Sequence, residues 1–343
     1  VAGQGAFAVD NTGSVTFTPE PGYLGTSTVS YTVRDLTGAT SAVGSLAVTV
    51  VVPNVVPVAQ NDDAQTPPAT SVTFSVTAND TDSDGTLVLN TLDLDPATTG
   101  RQTTRTISGV GTFTADNAGN VTFVPVAGYT NTATASYTIE DNSTGVSNVA
   151  TITVRVGPLA AADAFNSVPG SSGSVNVLAN DVDTNGIDAT SVDLDPATAG
   201  TQTTLTVAAG TYAVDASGTV TFTPVAGYTG TSTSSYTVLD ATGATSGVGT
   251  LTARVGPQTA DDAATTFQNV AVVVNVTTND VDADGLAVNS VDLDPATPGR
   301  QTTFAVAGQG TYTVSSSGNV TFTPVAAFVG TSSVQYTVND ATG

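Results

Sequence analysis

The chain repeats one pattern of roughly a hundred residues, and this repetition constrains its fold more than any other feature. A Val-Thr-Phe-Thr-Pro or Val-Thr-Phe-Val-Pro segment occurs four times, and a tyrosine follows each proline 12 residues later. The prolines are Pro19, Pro125, Pro224 and Pro324, and the tyrosines are Tyr31, Tyr137, Tyr236 and Tyr336. Both series advance by 106, 99 and 100 residues. A period of this size predicts a tandem array of small domains, each with its own core.

Within each repeat, apolar and polar residues alternate with a period of two. Val220 and Phe222 face one way while Thr221 and Thr223 face the other, and no segment carries a sustained helical stripe of apolar residues. The segment 215–218, Asp-Ala-Ser-Gly, is typical of a hairpin turn. About seven short strands per hundred residues predict an all-β chain of antiparallel β-sandwich domains, arranged as an extended rod.

Proline after a Val-Gly pair marks the boundaries between repeats, at Pro158 and Pro257. These boundaries predict the C-terminal half of a sandwich repeat over 1–52, complete repeats over 53–157 and 158–256, and a repeat truncated before its last strand over 257–343. The linkers are short, so neighbouring repeats are expected to touch. The first junction is longer: the distance from Tyr31 to Asp63 is 32 residues, against 26 at each of the other two.

The composition excludes several kinds of chemistry. The chain has no Cys, Met, Trp or His, and its six basic residues are all arginines. Thiolate nucleophiles, the usual histidine base and lysine-based crosslinks are therefore absent, and we expect no enzymatic activity. A net charge of -23 repels phosphates and anionic lipid, so nucleic acid and direct membrane contact are not expected.

Aspartate accounts for 27 of the 29 acidic residues, and many lie in a recurring loop of the form Asp-x-Asp-x-Asp/Asn-Gly. Alternate acids on a tight loop suit Ca²⁺, which takes oxygen ligands in a flexible geometry. The candidate metal ligands are Asp80, Asp82 and Asp84; Asp181, Asp183 and Asn185; and Asp280, Asp282 and Asp284.

Three ligands do not complete a calcium site, so other acids are candidates for the remaining ligands. The nearest are the pairs of the Asp-Leu-Asp triplets and the acids at the domain edges. They are Asp93 and Asp95, Asp193 and Asp195, Asp292 and Asp294, and Asp62, Asp63, Asp163, Asp261 and Asp262. The alternative is a solvated turn in which Asp and Gly serve only the backbone.

Two other residue classes have simpler interpretations. Arg34, Arg155 and Arg254 fall on outward strand positions, where charge keeps a strand soluble and discourages edge association. The recurring aromatic positions, such as Phe222 and Tyr236, are predicted to fill the cores rather than to form a sugar-stacking platform.

The combination of these motifs resembles a known family. Residues 210–243 read GTYAVDASGTVTFTPVAGYTGTSTSSYTVLDATG and are preceded by VDLDPATAGTQTT. This series, whose VTFTP-type and Tyr-Thr elements recur in every copy, resembles the CshA-type fibril repeat of bacterial surface adhesins and, more loosely, the Ig-like and cadherin-like repeats of large secreted adhesins. The resemblance implies Ig-like or cadherin-like sandwiches in the stalk of an extracellular, cell-surface fibril, with the adhesive tip outside this segment.

Two functions are therefore open at the level of the sequence. The first is a structural stalk that gives reach and stiffness, with Ca²⁺ as a rigidifying ion. The second is a Ca²⁺-dependent module in which each repeat binds a glycan or a protein partner, with avidity from repetition. The expected partners are neighbouring repeats of the same polypeptide, or like chains that add a strand to an incomplete terminal repeat to form a filament. A window from a longer polypeptide is the simpler interpretation of the incomplete copies.

Overall fold

The computed structural model describes residues 1–342, and every regular element in that range is a β-strand. The predicted all-β class is confirmed. The first segment contains β1 (Gly5–Val9), β2 (Val15–Pro19), β3 (Gly25–Tyr31) and β4 (Gly44–Val50). The second repeat contains β5 (Asp62–Thr66), β6 (Val72–Ser75), β7 (Leu87–Asp93), β8 (Thr104–Ile107), β9 (Gly111–Ala115), β10 (Asn120–Pro125), β11 (Thr132–Asp141) and β12 (Ala150–Val156).

The third and fourth repeats follow the same order. The third contains β13 (Asp163–Ser167), β14 (Gly173–Asn176), β15 (Ile187–Asp193), β16 (Thr204–Val207), β17 (Gly210–Val214), β18 (Thr219–Pro224), β19 (Gly230–Asp240) and β20 (Gly249–Val255). The fourth contains β21 (Val272–Asn275), β22 (Leu286–Asp292), β23 (Thr303–Val306), β24 (Gly310–Val314), β25 (Asn319–Pro324) and β26 (Thr337–Asp340). No helix within residues 1–342 has the length and apolarity needed to cross a membrane.

Each complete repeat is built from two four-stranded sheets. In the second repeat the strand orders are β6-β10-β9-β8 and β5-β12-β11-β7, and the third repeat has the equivalent orders β14-β18-β17-β16 and β13-β20-β19-β15. All pairs are antiparallel except the first and last strands of the repeat, which run parallel as β5 with β12 and β13 with β20. Two parallel strands need a long connection between them, and here the six intervening strands of the repeat form that connection.

The core lies between the two sheets and follows the alternation in the sequence. Along β12 every second residue is buried, from Ala150 through Ile152 and Val154 to Val156. Phe113 and Phe123 are cross-strand partners whose ring centroids are 4.4 Å apart, and both are fully buried. Burying one such ring stabilises the fold by about 1.5–3 kcal/mol, and the aromatic pair adds about 1 kcal/mol.

Strand pairing is less extensive in the first and fourth segments. Residues 1–52 form two hairpins, β1-β2 and β3-β4, and β26 pairs only with β22. Tyr31 is accordingly 53% exposed, whereas its equivalent Tyr137 is completely buried.

The strand register also corrects the length of the first linker. Asp62 pairs with Ile152 as Asp163 pairs with Leu251, so Asp62, not Asp63, is the equivalent of Asp163. The linker between β4 and the first bridge of the second repeat covers residues 51–57, against only 157–158 at the next junction. The insertion is therefore five residues and not the six counted from Asp63.

Candidate functional site

The three acidic loops connect β6 to β7, β14 to β15 and β21 to β22, and each is bonded to the start of its own repeat. In the second repeat the backbone N–H of Val58 donates to the carbonyl of Thr81 at 2.8 Å, and Thr81 donates back at 3.1 Å. Equivalent bridges pair Leu159 with Val182 and Gln258 with Val281. Since the linker enters the repeat at this bridge, each loop lies close to the junction with the preceding repeat.

The first carboxylate of each loop is directed at a buried tyrosine hydroxyl. Tyr137 Oη lies 2.9 Å from Asp80 Oδ1, 2.7 Å from the carbonyl oxygen of Val76 and 2.9 Å from that of Gln60. The hydroxyl has one proton, so it donates to only one of these oxygens at a time. The backbone N–H of Gln60 also donates to Asp80 Oδ1, at 2.8 Å. Asp80 is therefore held by the core and is not free to turn toward solvent.

A second carboxylate, from the start of the repeat, joins this arrangement. Asp163 Oδ2 lies 3.0 Å from Tyr236 Oη, and Asp262 Oδ2 lies 3.1 Å from Tyr336 Oη. We refer to each set as the tyrosine cluster: Tyr137 with Asp62 and Asp80, Tyr236 with Asp163 and Asp181, and Tyr336 with Asp262 and Asp280.

Burial within the cluster changes the acidity of its members. Burial raises the pKa of Asp62 to about 6, and the negative charge of the neighbouring Asp80 adds to this shift. Asp62 Oδ2 is buried without a hydrogen-bond partner. Burial likewise raises the pKa of Tyr137, so its hydroxyl keeps its proton. While both carboxylates of a cluster are ionised, the tyrosine hydroxyl supplies the one proton that they share.

The second carboxylate of each loop has one buried oxygen without a donor. These oxygens are Oδ2 of Asp82, Asp183 and Asp282. Burial raises the pKa of Asp183, and the negative charge of Asp240, at the end of β19, raises it further. Asp282 has the same relation to Asp340. A buried carboxylate oxygen without a donor is costly, so each of these positions would be stabilised by a cation.

In the second repeat the same space is bounded by an amide oxygen. A side chain at Gly85 would collide with both Asp82 Oδ2 and Asn142 Oδ1, so these two oxygens face one small volume. Glycine is required there to leave that volume open. Carboxylate and amide oxygens are the donors that Ca²⁺ prefers, so the donor chemistry fits this ion.

The third residue of each loop has a different partner in each repeat. Asp84 Oδ2 accepts from the backbone N–H of Val55 in the linker, at 3.1 Å. Asn185 Nδ2 donates to Asp240 Oδ2 at 3.5 Å. Asp284 Oδ2 accepts from the hydroxyl of Thr231, in the preceding repeat, at 2.6 Å. These contacts tie the loops to the linker, to the end of β19 and to the neighbouring repeat.

The three predicted ligands of each loop thus point to three different places. In residues 1–342 no group of three or more acidic, histidine or cysteine side chains lies close enough together to hold a metal ion. The acids of the Asp-Leu-Asp triplets do not face the loops either: Asp93 Oδ1 accepts from the N–H groups of Asp95 and Gln102, at 3.0 and 2.9 Å, and closes its own turn. Calcium binding stays a prediction.

The acidic loops also contact the preceding repeat, which the sequence did not predict. At the second junction the backbone N–H of Thr184 donates to the carbonyl of Thr130 at 3.3 Å. At the third junction Ala283 N–H donates to Thr229 Oγ1 at 3.0 Å, close to the bond between Thr231 and Asp284. Thr130 and Thr229 occupy equivalent positions, one residue after a Gly-Tyr pair. Each of these junctions is therefore a bonded joint.

Arg155 strengthens the second joint and departs from its predicted role. It was predicted only to keep a strand soluble, but its Nη1 donates to the carbonyl of Thr242 in the next repeat at 2.9 Å, and it forms an ion pair with Asp63. Gly157 lies against the carbonyl of Thr245, so a side chain there would clash with backbone. The loop after β19 therefore packs on the end of β12.

One family model matches the chain four times in succession. It is described as a bacterial Ig domain, and it matches residues 1–49, 54–155, 156–254 and 255–343. No curated protein sequence matches the chain.

Several solved structures are similar at low sequence identity. The eight N-terminal Ig domains of Down syndrome cell adhesion molecule share 14% identity at a TM-score of 0.29, covering 97% of this chain and 48% of that one. An I-band fragment of titin shares 9% at 0.25, covering 80% and 90%. An endo-fucoidan hydrolase of glycoside hydrolase family 107 shares 13% at 0.23, covering 74% and 37%. The chain thus spans less than half of the first and third of these proteins.

Proposed function

The chain belongs to the bacterial Ig domain family along its whole length, and we propose that it is a non-enzymatic stalk segment of an extracellular fibrous adhesin on a bacterial surface. Its role is to give reach and stiffness to a binding region carried elsewhere in the polypeptide. The resemblance of its VDLDP and VTFTP motifs to CshA-type fibril repeats supports this proposal.

The bonded joints are the observation that carries the proposal. Two residues separate the last strand of one repeat from the first bridge of the next at the second and third junctions, and side chains on both sides are hydrogen-bonded across each junction. A stalk needs such joints, because a flexible linker would let neighbouring domains fold back on one another.

We propose that Ca²⁺ stiffens the repeats by binding at the second carboxylate of each loop. The residues that would hold the ion are Asp82 with Asn142, Asp183 with Asp240, and Asp282 with Asp340. Ca²⁺ takes about six to eight oxygen ligands, so backbone carbonyls and water would complete each site. The ion would supply positive charge to the buried Oδ2 atoms of Asp82, Asp183 and Asp282, which have no donor, in a chain with a net charge of -23.

Small-angle X-ray scattering of the full chain tests the stalk. A compact protein of 343 residues has a radius of gyration of about 20 Å. The 11 residues of β19 span about 36 Å, so a line of four such modules extends on the order of 140 Å, with a radius of gyration of about 40 Å. A value close to 20 Å would refute the proposed function.

A further inference from the structure

The first junction lacks the bonds that make the other two junctions stiff. Within residues 1–342, no hydrogen bond joins residues 1–52 to the rest of the chain, whereas three cross the second junction and two cross the third. The linker is also five residues longer, and Val51 and Val52 within it are 71% and 60% exposed. Length and exposure alone would permit movement here.

The residues at the contact positions of the first segment have changed as well. Leu24 stands where Thr130 and Thr229 bond the next acidic loop, and it is 56% exposed. Thr49 stands where the later repeats carry Arg155 and Arg254. Leu24 lacks the side-chain hydroxyl through which Thr130 contacts Thr184 and Thr229 accepts from Ala283. Thr49 is too short to reach the next repeat as Arg155 does.

The linker itself occupies the acceptors on the second repeat. Asn54 Nδ2 donates to Asp141 Oδ2 at 2.7 Å, and the N–H of Val55 donates to Asp84 Oδ2 at 3.1 Å. At the third junction the equivalent of Asp84 is Asp284, and its donor is Thr231 of the preceding repeat. The third carboxylate of this acidic loop, Asp84, therefore takes its donor from the linker and not from the first segment.

We propose that the first junction is a hinge, with residues 51–53 as its moving part, and that the second and third junctions are stiff. The linker from Asn54 onward travels with the second repeat, since Asn54 and Val55 are bonded to it. Three free residues reach at most about 10 Å, which is enough to reorient one module against the next while keeping them adjacent. This inference refines the stalk proposal by placing a point of bending at one defined position.

Distances between spin labels measured by pulsed electron paramagnetic resonance test the hinge. The chain has no cysteine, so engineered cysteines are labelled uniquely. Thr28, Thr134 and Thr233 are exposed at equivalent positions, three residues before the repeating tyrosine. The pair T28C with T134C spans the first junction, and T134C with T233C spans the second. We expect a distribution spread over about 10 Å across the first junction and a single narrow distance across the second.

A reciprocal exchange of linkers provides the matched variants. One variant replaces residues 51–57 by Gly-Pro and adds Leu24→Thr and Thr49→Arg, which reproduces the second junction. The other puts the seven-residue linker in place of Gly157 and Pro158. We expect the first variant to narrow the distribution at the first junction and the second to broaden it at the second junction, with circular dichroism confirming that both retain β-structure.

Equal widths at the two junctions of the native chain, or widths that do not follow the exchanged linkers, would overturn the hinge. These results are separable from a failure of the stalk. A narrow first junction with a large radius of gyration refutes only the hinge, whereas a compact radius of gyration refutes the stalk whatever the label distances.

Discussion

Tyr137 Oη lies 2.9 Å from Asp80 Oδ1, and this contact joins the centre of the repeat to its acidic loop. The ring belongs to the core between the sheets, while the carboxylate begins the loop that is bonded to the linker entering the repeat. The third and fourth repeats preserve the contact through Tyr236 with Asp181 and Tyr336 with Asp280. A change in the protonation of the cluster should therefore alter both the stability of the domain and the shape of the loop.

Removing one tyrosine hydroxyl should destabilise its repeat. Tyr236→Phe leaves Asp163 and Asp181 facing each other without the donor they share, and we expect a loss of about 1–3 kcal/mol. Calorimetry, with hydrogen exchange to locate the effect in the third repeat, measures it. Tyr228→Phe is the control, because Phe328 occupies the same position in the fourth repeat. An unchanged third repeat in Tyr236→Phe would show that the hydroxyl does not bridge the carboxylates.

The second repeat should lose stability as pH rises from about 4 to 6. The pKa of Asp62 is about 6 in the folded protein and 3.8 in the absence of these interactions, so between these values the folded state binds more protons than the unfolded state. Stability therefore falls with pH across that window. Aspartates that close hairpin turns have the opposite effect on stability. The hydrogen bonds of Asp116 with Asn120 lower its pKa, so its contribution to stability is lost as the pH falls below about 4.

Asp62→Asn tests this assignment in the presence of EDTA. The variant should be more stable than the native chain at pH 7 and similar to it near pH 4, because the amide has no charge to bury and can donate to Asp80. Thermal unfolding at several pH values measures the slope. A native chain with no loss of stability between pH 4 and 6 would contradict the assignment.

Calcium should raise the stability of each complete repeat. At a free concentration of 100 times the dissociation constant, a single site contributes about 2.7 kcal/mol. Asp183→Asn should abolish this gain in the third repeat, as seen by titration calorimetry and by the melting temperature with and without EDTA. Asp188→Asn is the control, since the carboxylate of Asp188 is exposed and accepts only from Thr190. Absence of heat and of any melting shift in the native chain would exclude the calcium proposal.

Arg155→Gln should loosen the second joint without unfolding either neighbour. The change removes the donor to the carbonyl of Thr242 and the ion pair with Asp63, and exposed pairs of this kind contribute about 1 kcal/mol or less. The label pair at positions 134 and 233 should therefore broaden while the melting temperature changes little. Arg105→Gln removes an ion pair with Asp95 inside one repeat and should leave the label distances unchanged.

Much of the fold could be predicted from the sequence, because the alternation of apolar and polar residues is a local signal. Phe222 and Tyr236 are fully buried, as their period-two positions indicated, and the turn at 215–218 is closed by a bond from Gly218 N–H to the Asp215 carbonyl. The parallel pairing of β5 with β12 had no such signal. It joins residues about 90 positions apart and is decided by the packing of the whole domain.

The acidic loops show the same division between local and long-range information. Their spacing indicated carboxylates on a tight loop, and Gly186 and Gly285 take positive φ values of 88° and 91°, as a sharp turn requires. Spacing could not show that Asp181 would face Tyr236, that Asp183 would face Asp240, or that Asp284 would bond Thr231. Those partners lie on other strands or in another repeat, so only the assembled fold brings them together.

The parallel pairing of the first and last strands has a consequence for a protein pulled at both ends. Tension enters a repeat at the start of β5 and leaves at the end of β12, at opposite poles of the same strand pair. The hydrogen bonds between the two strands are then loaded in shear and must break together, rather than being unzipped one after another. A chain of such repeats would resist stretching along its own length, which is the load that the proposed stalk would carry.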